Sequence, residues 1–439
     1  MQMERFELAF SGLGARTGPL TFGQQAMWNN LRRITPHDEH VNICFPVPLR
    51  EGVTVGSVTE ALRALLTRHE ALRTLYRDDG SGAPRQQVRA RGAVEVVVVD
   101  CAASSREEGR QVAKQEINRH FEPAAELPLR AALLRWDGAI REVVLSVCHL
   151  ASDAAGNAVI RRELTHLLTA GQPALPPPRG RQPVDHARWE RSEQVTRAQA
   201  RRADYWRRTF AECAALPPMR RAADGADGTR GEGARFRHGE LLAPGLDAAA
   251  AVAARRLGVS RAAVLLAALT GELARRVGAA RLPMFLRVAN RHFPGAEETV
   301  ACLAQNSLFL AGAEPAGLHR TAVDLHTGMM KALLHAHYDP AVRDGVQARL
   351  AERGVLLRPE ELSTFNYIPS GLYSRQNSAP VPEGGRFTWL EEAENEHFRF
   401  FVNAGPGDRV SLFADTRHLP ADAVEDCLRE AYRRVLADT

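Results

Sequence analysis

The chain is predicted to fold as an α/β or α+β protein built from two lobes. Three observations predict this. It has 439 residues. Strand-like and helix-like stretches alternate in both halves. A Pro/Gly/Arg-rich break lies at residues 171–183. A single core seldom grows beyond about 250–300 residues, so this length suits two lobes of roughly 200 residues each. The hydrophobic share is 45% and the charged share 25%, which fits a folded globular chain and excludes wholesale disorder.

Taken in order, Val53–Tyr76 reads as an amphipathic helix running into a strand, because Val58, Leu62, Leu65 and Leu66 share one helical face. The valine-rich run Val94–Val99 reads as a strand. Pro128–Trp136 and Val143–Val147 read as two strands joined by a turn at Asp137-Gly138. The second delivers Cys148 and His149 to its C-terminal end. Helical spacing returns from Gly156 to Leu168 through Val159, Leu164, Leu167 and Leu168. The segment GQPALPPPRGRQP, residues 171–183, cannot be a helix interior and is the expected linker. It divides an N-terminal lobe, 1–175, from a C-terminal lobe, 176–439. Val184–Phe210 reads as a polar, Arg-rich helical stretch in which Trp189, Tyr205 and Trp206 serve packing. Pro217–Ala234 reads as a loop. Ser260–Val277 is an amphipathic helix with Ser260 as N-cap and Gly278 just past its end. Met284–Ala289, Leu308–Leu310, Phe398–Val402 and Val410–Ala414 read as strands, and Ala421–Leu436 as a closing helix. No short-period repeat is present.

No run of about 18 apolar residues occurs, which excludes a membrane-spanning helix. The opening MQMERFELAFSGLG lacks the apolar core of a signal peptide, so a cytoplasmic location is expected. The six cysteines, Cys44, Cys101, Cys148, Cys213, Cys302 and Cys427, are scattered without a CxxC pair. That argues against a disulfide framework and against a zinc site, and no metal is expected. The net charge is +5, and Lys114 and Lys331 are the only lysines beside many arginines. Without a Lys/Arg run or an RNA-binding aromatic motif, nucleic acid is not an expected partner. The mild positive balance suits an acidic partner or a phosphate-bearing cofactor.

The chemistry concentrates in Val147-Cys148-His149-Leu150-Ala151-Ser152-Asp153-Ala154-Ala155-Gly156. Two readings fit an H-x-x-x-D placed after a strand. In one, His149 is a half-buried residue and Asp153 caps the next helix. In the other, His149 takes a proton from an attacking amine or alcohol, and Asp153 holds the loop by pairing with an arginine elsewhere. The spacing alone does not choose between them. Cys148 and His149 are adjacent on an extended segment, point to opposite faces, and are not expected to form a nucleophile–base pair. His335 and His337 lack further ligands at metal-binding spacing and read as packing or surface residues.

Several other segments belong beside this one: Pro19-Leu20-Thr21-Phe22-Gly23-Gln24-Gln25-Ala26-Met27-Trp28, Arg68-His69-Glu70-Ala71-Leu72-Arg73-Thr74, Asp185-His186-Ala187-Arg188-Trp189 with Tyr205-Trp206, Val288-Ala289-Asn290-Arg291, Gln305-Asn306-Ser307, and Phe365-Asn366-Tyr367. In this order, from about Pro19 to the C-terminus, they resemble the motifs of condensation domains of nonribosomal peptide synthetases, members of the chloramphenicol-acetyltransferase-like superfamily. The family's H-H-x-x-x-D-G stands here with Cys148 for the first His and Ala154 for the Gly. His149 and Asp153 are kept.

The resemblance implies two chloramphenicol-acetyltransferase-like lobes in a pseudo-dimeric V, with an active-site tunnel between them. It implies His149 as the catalytic residue and an Asp153–Arg291 pair across the lobe boundary. Arg68, Glu70 and Arg73 become scaffold for the first lobe. Cys148 and Ala154 support the loop, and Ala154 is expected to narrow the tunnel or to exclude a positive φ. Asn306 falls on a bridging strand, and Ser152 and Gly156 beside the tunnel. The implied function is that of a free-standing acyltransferase with no permanently bound cofactor. Acyl groups would arrive on the phosphopantetheine arm of an acyl or peptidyl carrier protein docked in trans. The acceptor would be a small or carrier-bound amine or alcohol, and the product an amide or ester. Two alternatives stand beside it: an acyltransferase using CoA, and a catalytically silent recruitment protein.

Overall fold

Strand and helix alternate along the chain as expected, and the computed structural model describes all residues except 36–37, 79, 81–82, 170–173, 220–233, 313–316, 359–360, 369–380, 383, 394–397 and 438–439. Most of the loop expected at Pro217–Ala234, and the start of the linker expected at 171–183, lie outside the described residues. The chain divides into two compact units, Met1–Ala198 with Ala289–Gln305, and Gln199–Val288 with Asn306–Thr439.

The first unit runs β1 (Gln2–Phe10), β2 (Arg16–Pro19), α1 (Phe22–Ile34), β3 (Ile43–Pro48), α2 (Val55–Arg68), β4 (Thr74–Arg77), β5 (Arg85–Val88), β6 (Gly92–Asp100), α3 (Arg106–Ile117), β7 (Leu129–Trp136), β8 (Ala139–Val147), α4 (Ala154–Leu167), α5 (Pro183–Glu190) and α6 (Glu193–Arg197). Its main sheet has the order β1-β6-β7-β8-β3, and a smaller one the order β2-β5-β4. The apolar runs of β6 and β7 pair in parallel, Val96 opposite Ala131 through Val99 opposite Leu134. Continuous burial of these residues is what a covered parallel pair requires. On one face α3 packs Ala113 and Ile117 against Val97, Val99, Ala132, Leu134 and Val144. Asp137 and Gly138 both take positive φ, 53° and 73°, the signature of the tight turn that matches strand twist between β7 and β8.

The unit boundary does not fall at residue 175. Gln182 donates to Arg68 O and accepts from Glu70 N, both at 3.0 Å. Arg16 forks onto the Asp185 carboxylate at 2.7 Å and reaches Glu70 at 2.8 Å. The Glu190 carboxylate accepts from Phe22 N at 2.7 Å. These bonds fasten the segment after the proline-rich stretch to the first unit, so α5 belongs there and not to a second lobe. Arg73, buried, donates to Leu66 O, Gly14 O and Arg89 O. The Arg68–Thr74 motif is thus a joint between helix and sheet.

The same motif carries a buried ion pair. Glu163 on α4 meets His69 Nε2 at 2.6 Å and Arg68 at 3.0 Å. Burial raises the Glu163 carboxyl, but the hydrogen bond from His69 and the charges of His69 and Arg68 outweigh it and hold the group below the ordinary glutamate range. A depressed carboxylate stabilises the fold above its unfolded value and loses that contribution as pH falls through the folded one. Glu163→Gln is therefore expected to cost about 1–3 kcal/mol near neutral pH. The gap from the unsubstituted protein narrows below about pH 4, toward the folded value. Urea unfolding at two pH values checks both.

The second unit runs α7 (Gln199–Ala214), β9 (Phe236–Leu242), α8 (Leu246–Leu257), α9 (Arg261–Val277), β10 (Arg281–Val288), β11 (Gln305–Gly312), α10 (Leu318–Leu334), α11 (Pro340–Ala351), β12 (Ser363–Tyr367), β13 (Arg386–Ala393), β14 (Phe400–Gly405), β15 (Arg409–Asp415) and α12 (Ala421–Ala437). Its sheet has the order β11-β10-β12-β14-β15-β9-β13. The helix α9 is capped by Ser260, which accepts from Ala263 N, and ends at left-handed Gly278, as its sequence predicts. Buried along most of its length, it packs Leu266, Leu269 and Leu273 into the core with Phe365, Phe400 and Leu428. The stretch expected as one helix over Val184–Phe210 is broken into α5, α6 and α7, divided between the two units. Among the described residues no single helix is long and apolar enough to cross a membrane.

Candidate active site

The strand β8 ends at Val147 and the chain turns at once. Cys148 N donates to Pro128 O at 3.1 Å, and Cys148 O accepts from Ala151 N at 2.9 Å and Ser152 N at 3.4 Å. Of the residues from Glu142 to Asp153, only His149 is partly exposed. A turn pinned at both ends thus presents one imidazole.

Asp153 fixes the far end of that turn. Its Oδ1 accepts from Gly156 N at 3.0 Å, capping α4, and from the Arg291 guanidinium at 2.7 Å. Its Oδ2 accepts from Leu303 N and Ala304 N, both at 2.9 Å. The two readings of Asp153, helix cap and arginine partner, therefore describe one side chain. A buried carboxylate supplied with this many donors, one of them cationic, is held in a single pose. Arg291 also donates to Ala301 O at 3.0 Å and Ala289 O at 3.2 Å. Because residues 289–305 pack within the first unit, the Asp153–Arg291 pair is internal to that unit and does not cross a lobe boundary. Asn290 makes the path possible. It takes φ 53°, a left-handed pose that Asn tolerates, and its side-chain amide donates to Leu303 O at 3.0 Å and Gln305 Oε1 at 3.2 Å.

The opening motif supports this segment from the other side. Thr21 and Gln24 form a reciprocal capping box on α1, and Thr21 Oγ1 donates to Cys302 O at 2.9 Å. Gly23 touches the same backbone. A Cβ there would meet Cys302 O at 2.6 Å and the Leu303 carbonyl carbon at 2.7 Å. Gly23→Ala is expected to destabilise the protein by about 1–3 kcal/mol. A lower urea midpoint with an unchanged m-value checks this. The T-x-x-Q pattern at residues 21–24 was a local signal for this cap. The reason for Gly23 had no local signal.

The other residues singled out in the sequence take the following places. Cys148 is buried among Leu20, Tyr76, Phe121 and Leu150, and burial pushes its thiol up to about 12. It fills space and cannot act as a nucleophile near neutral pH. Ala154 is the first residue of α4 and has no positive φ, so the extra methyl introduces no backbone strain. Ser152 and Gly156 are buried and packed against each other, since a Cβ at Gly156 would collide with Ser152 Oγ. They tighten the first turn of α4. Asn306 lies in the second unit on β11, where its side-chain oxygen accepts from Arg287 at 3.3 Å. His335 stacks on Tyr205 with centroids 4.3 Å apart, and Trp206 packs edge-on to Tyr338. Trp189 lies against His186 and Phe293. Sequence reasoning missed Cys302. Its Sγ lies 3.7 Å from His149 Nδ1, and nothing within either local segment announces that meeting.

The Condensation domain family model matches residues 15–302. Phosphinothricin tripeptide synthetase PhsB of Streptomyces viridochromogenes is 28% identical over 236 residues, 52% of this chain and 19% of that protein. Enniatin synthase of Fusarium equiseti is 30% identical over 208 residues, 45% of this chain and 6% of that protein. The chain thus spans under a fifth of the length of these relatives. Among solved structures, the condensation domain of the monacolin K polyketide synthase MokA aligns with TM-score 0.75 at 17% identity, covering 97% of this chain and 98% of that one. The condensation domain studied for chain release from the enacyloxin polyketide synthase aligns with TM-score 0.72 at 21% identity, covering 97% and 84%. These two likenesses establish the fold. The family match over residues 15–302, more than half of the chain, shows that this chain belongs to the condensation-domain family.

Proposed function

We propose that this protein forms an amide bond between an acyl thioester and an amine, with His149 as general base. The observation that carries the reading is the His149 turn: one part-exposed imidazole in a buried stretch, clamped by an Asp153 carboxylate with its charge and lone pairs engaged. Both departures from the family motif leave this clamp intact, which supports an active enzyme over a silent recruiter.

In the reaction, the acceptor nitrogen attacks the thioester carbonyl carbon while a ring nitrogen of His149 takes its proton. The C–N bond forms, the C–S bond breaks, and the imidazolium returns the proton to the departing thiolate. Such base assistance is worth about 10²–10⁴-fold in rate. An alcohol acceptor would follow the same course to an ester. On this reading the acyl group arrives on the phosphopantetheine arm of a carrier protein.

Single-turnover assays with acyl-loaded carrier proteins and acyl-CoAs, each offered to amines and alcohols, test this. Amide product from carrier-bound donors is the expected result. Product from acyl-CoA alone would make the protein a CoA-dependent acyltransferase. No product from any donor, with carrier binding retained, would overturn the enzyme in favour of a recruitment role.

A further inference from the structure

We propose that Cys302 is a positioning residue for His149. It accepts the Nδ1–H through sulfur, so that Nε2 is the nitrogen presented to the acceptor's proton. The inference rests on the reading of His149 as a base.

The geometry is a contact between two placed groups. The Sγ–Nδ1 distance is 3.7 Å, within reach of sulfur's larger radius, and a thiol sulfur is a weak acceptor. Cys302 is fully buried, and its main chain is gripped on both sides. Its carbonyl accepts from Thr21 Oγ1 and abuts Gly23, while the next two amides donate to Asp153. His149 sits in a turn whose far end is tied to that same carboxylate. Asp153 therefore fixes the position of the ring and of the sulfur together, and their separation follows from the scaffold.

The consequence concerns the tautomer. A neutral imidazole carries one N–H, and the partner of one nitrogen decides which. With Nδ1–H directed at sulfur, the lone pair resides on Nε2, as a base requires. The burial of Cys302 removes it as an acyl acceptor itself. Its proposed role in the reaction runs through His149.

The test uses the full chain labelled with ¹⁵N-histidine. Long-range ¹H–¹⁵N spectra report the His149 tautomer, assigned by the signal lost in His149→Gln. The expected wild-type state is Nδ1–H. In Cys302→Ala the Nε2–H form should grow and kcat should fall about 10–100-fold with KM within about twofold. Cys302→Ser retains an acceptor of similar size and should keep the tautomer and most of the rate. It also stands in should the alanine variant fold poorly. An Nε2–H wild type, or an unchanged tautomer in Cys302→Ala, would overturn the proposal. The tautomer is read without turnover, so the two readings fail separately. A fully active His149→Ala sinks the base, whereas an inactive one beside a Cys302→Ala with unaltered tautomer and rate sinks only the positioning role.

Discussion

His149→Ala should lower kcat for acyl transfer by about 10²–10⁴-fold, the range that a positioned general base supplies. KM should change little, because the ring acts on a proton that moves only as the transition state forms. Stability should change by about 0.5–1.5 kcal/mol, since the ring is only partly exposed and gives up its contact with Cys302. His149 is the partly exposed residue of its turn, and the hydrogen bonds that shape the turn run from Cys148 O to the Ala151 and Ser152 amides and from Asp153 to its donors. Removing the ring leaves that scaffold standing. Single-turnover rates and urea unfolding on the same preparations separate the two effects. Equal rates in both proteins would mean that the reaction runs on positioning of the substrates, and the base role would be lost.

Asp153→Ala should act in the opposite manner, on fold first and on rate as a result. It removes the carboxylate from a buried pair, which costs about 3–5 kcal/mol because the surviving charge is left without its partner. Among the described residues Arg291 would keep the carbonyl acceptors Ala289 O and Ala301 O. The amides of Gly156, Leu303 and Ala304 would lose their acceptor. The α4 cap alone accounts for about 1 kcal/mol. Asp153→Asn should fall between, since one carboxamide oxygen replaces two charged ones. Measured well below the unfolding midpoint, Asp153→Ala should also lose about 10²-fold in rate, the effect of an ångström-scale shift in a reacting group. A loss below 1 kcal/mol would show that Asp153 does not hold the turn.

Much of this site was written locally. The valine run of β6, the Asp137-Gly138 turn, the Ser260 and Gly278 ends of α9 and the strand that carries His149 each follow from the propensities and caps of a few neighbouring residues. Their energetics are short-range, so the amino-acid order decides them. The Cys148 and Ala154 departures were visible in the same way, but their structural surroundings were not. Burial of the thiol and the helical φ of Ala154 depend on what packs around them.

The contacts between distant segments were decided in three dimensions. Cys302 meets His149 across 153 positions, α5 joins the first unit through Arg16, Glu70 and Phe22, and Arg291 returns to that unit with residues 289–305. Each depends on a close approach of backbones, as where Gly23 leaves room for Cys302 and Leu303. Amino-acid order settles the elements, the motif and the candidate base. Tertiary packing settles which side chains surround that base, because side-chain packing and backbone approach are summed over the whole core and are not encoded in any one segment.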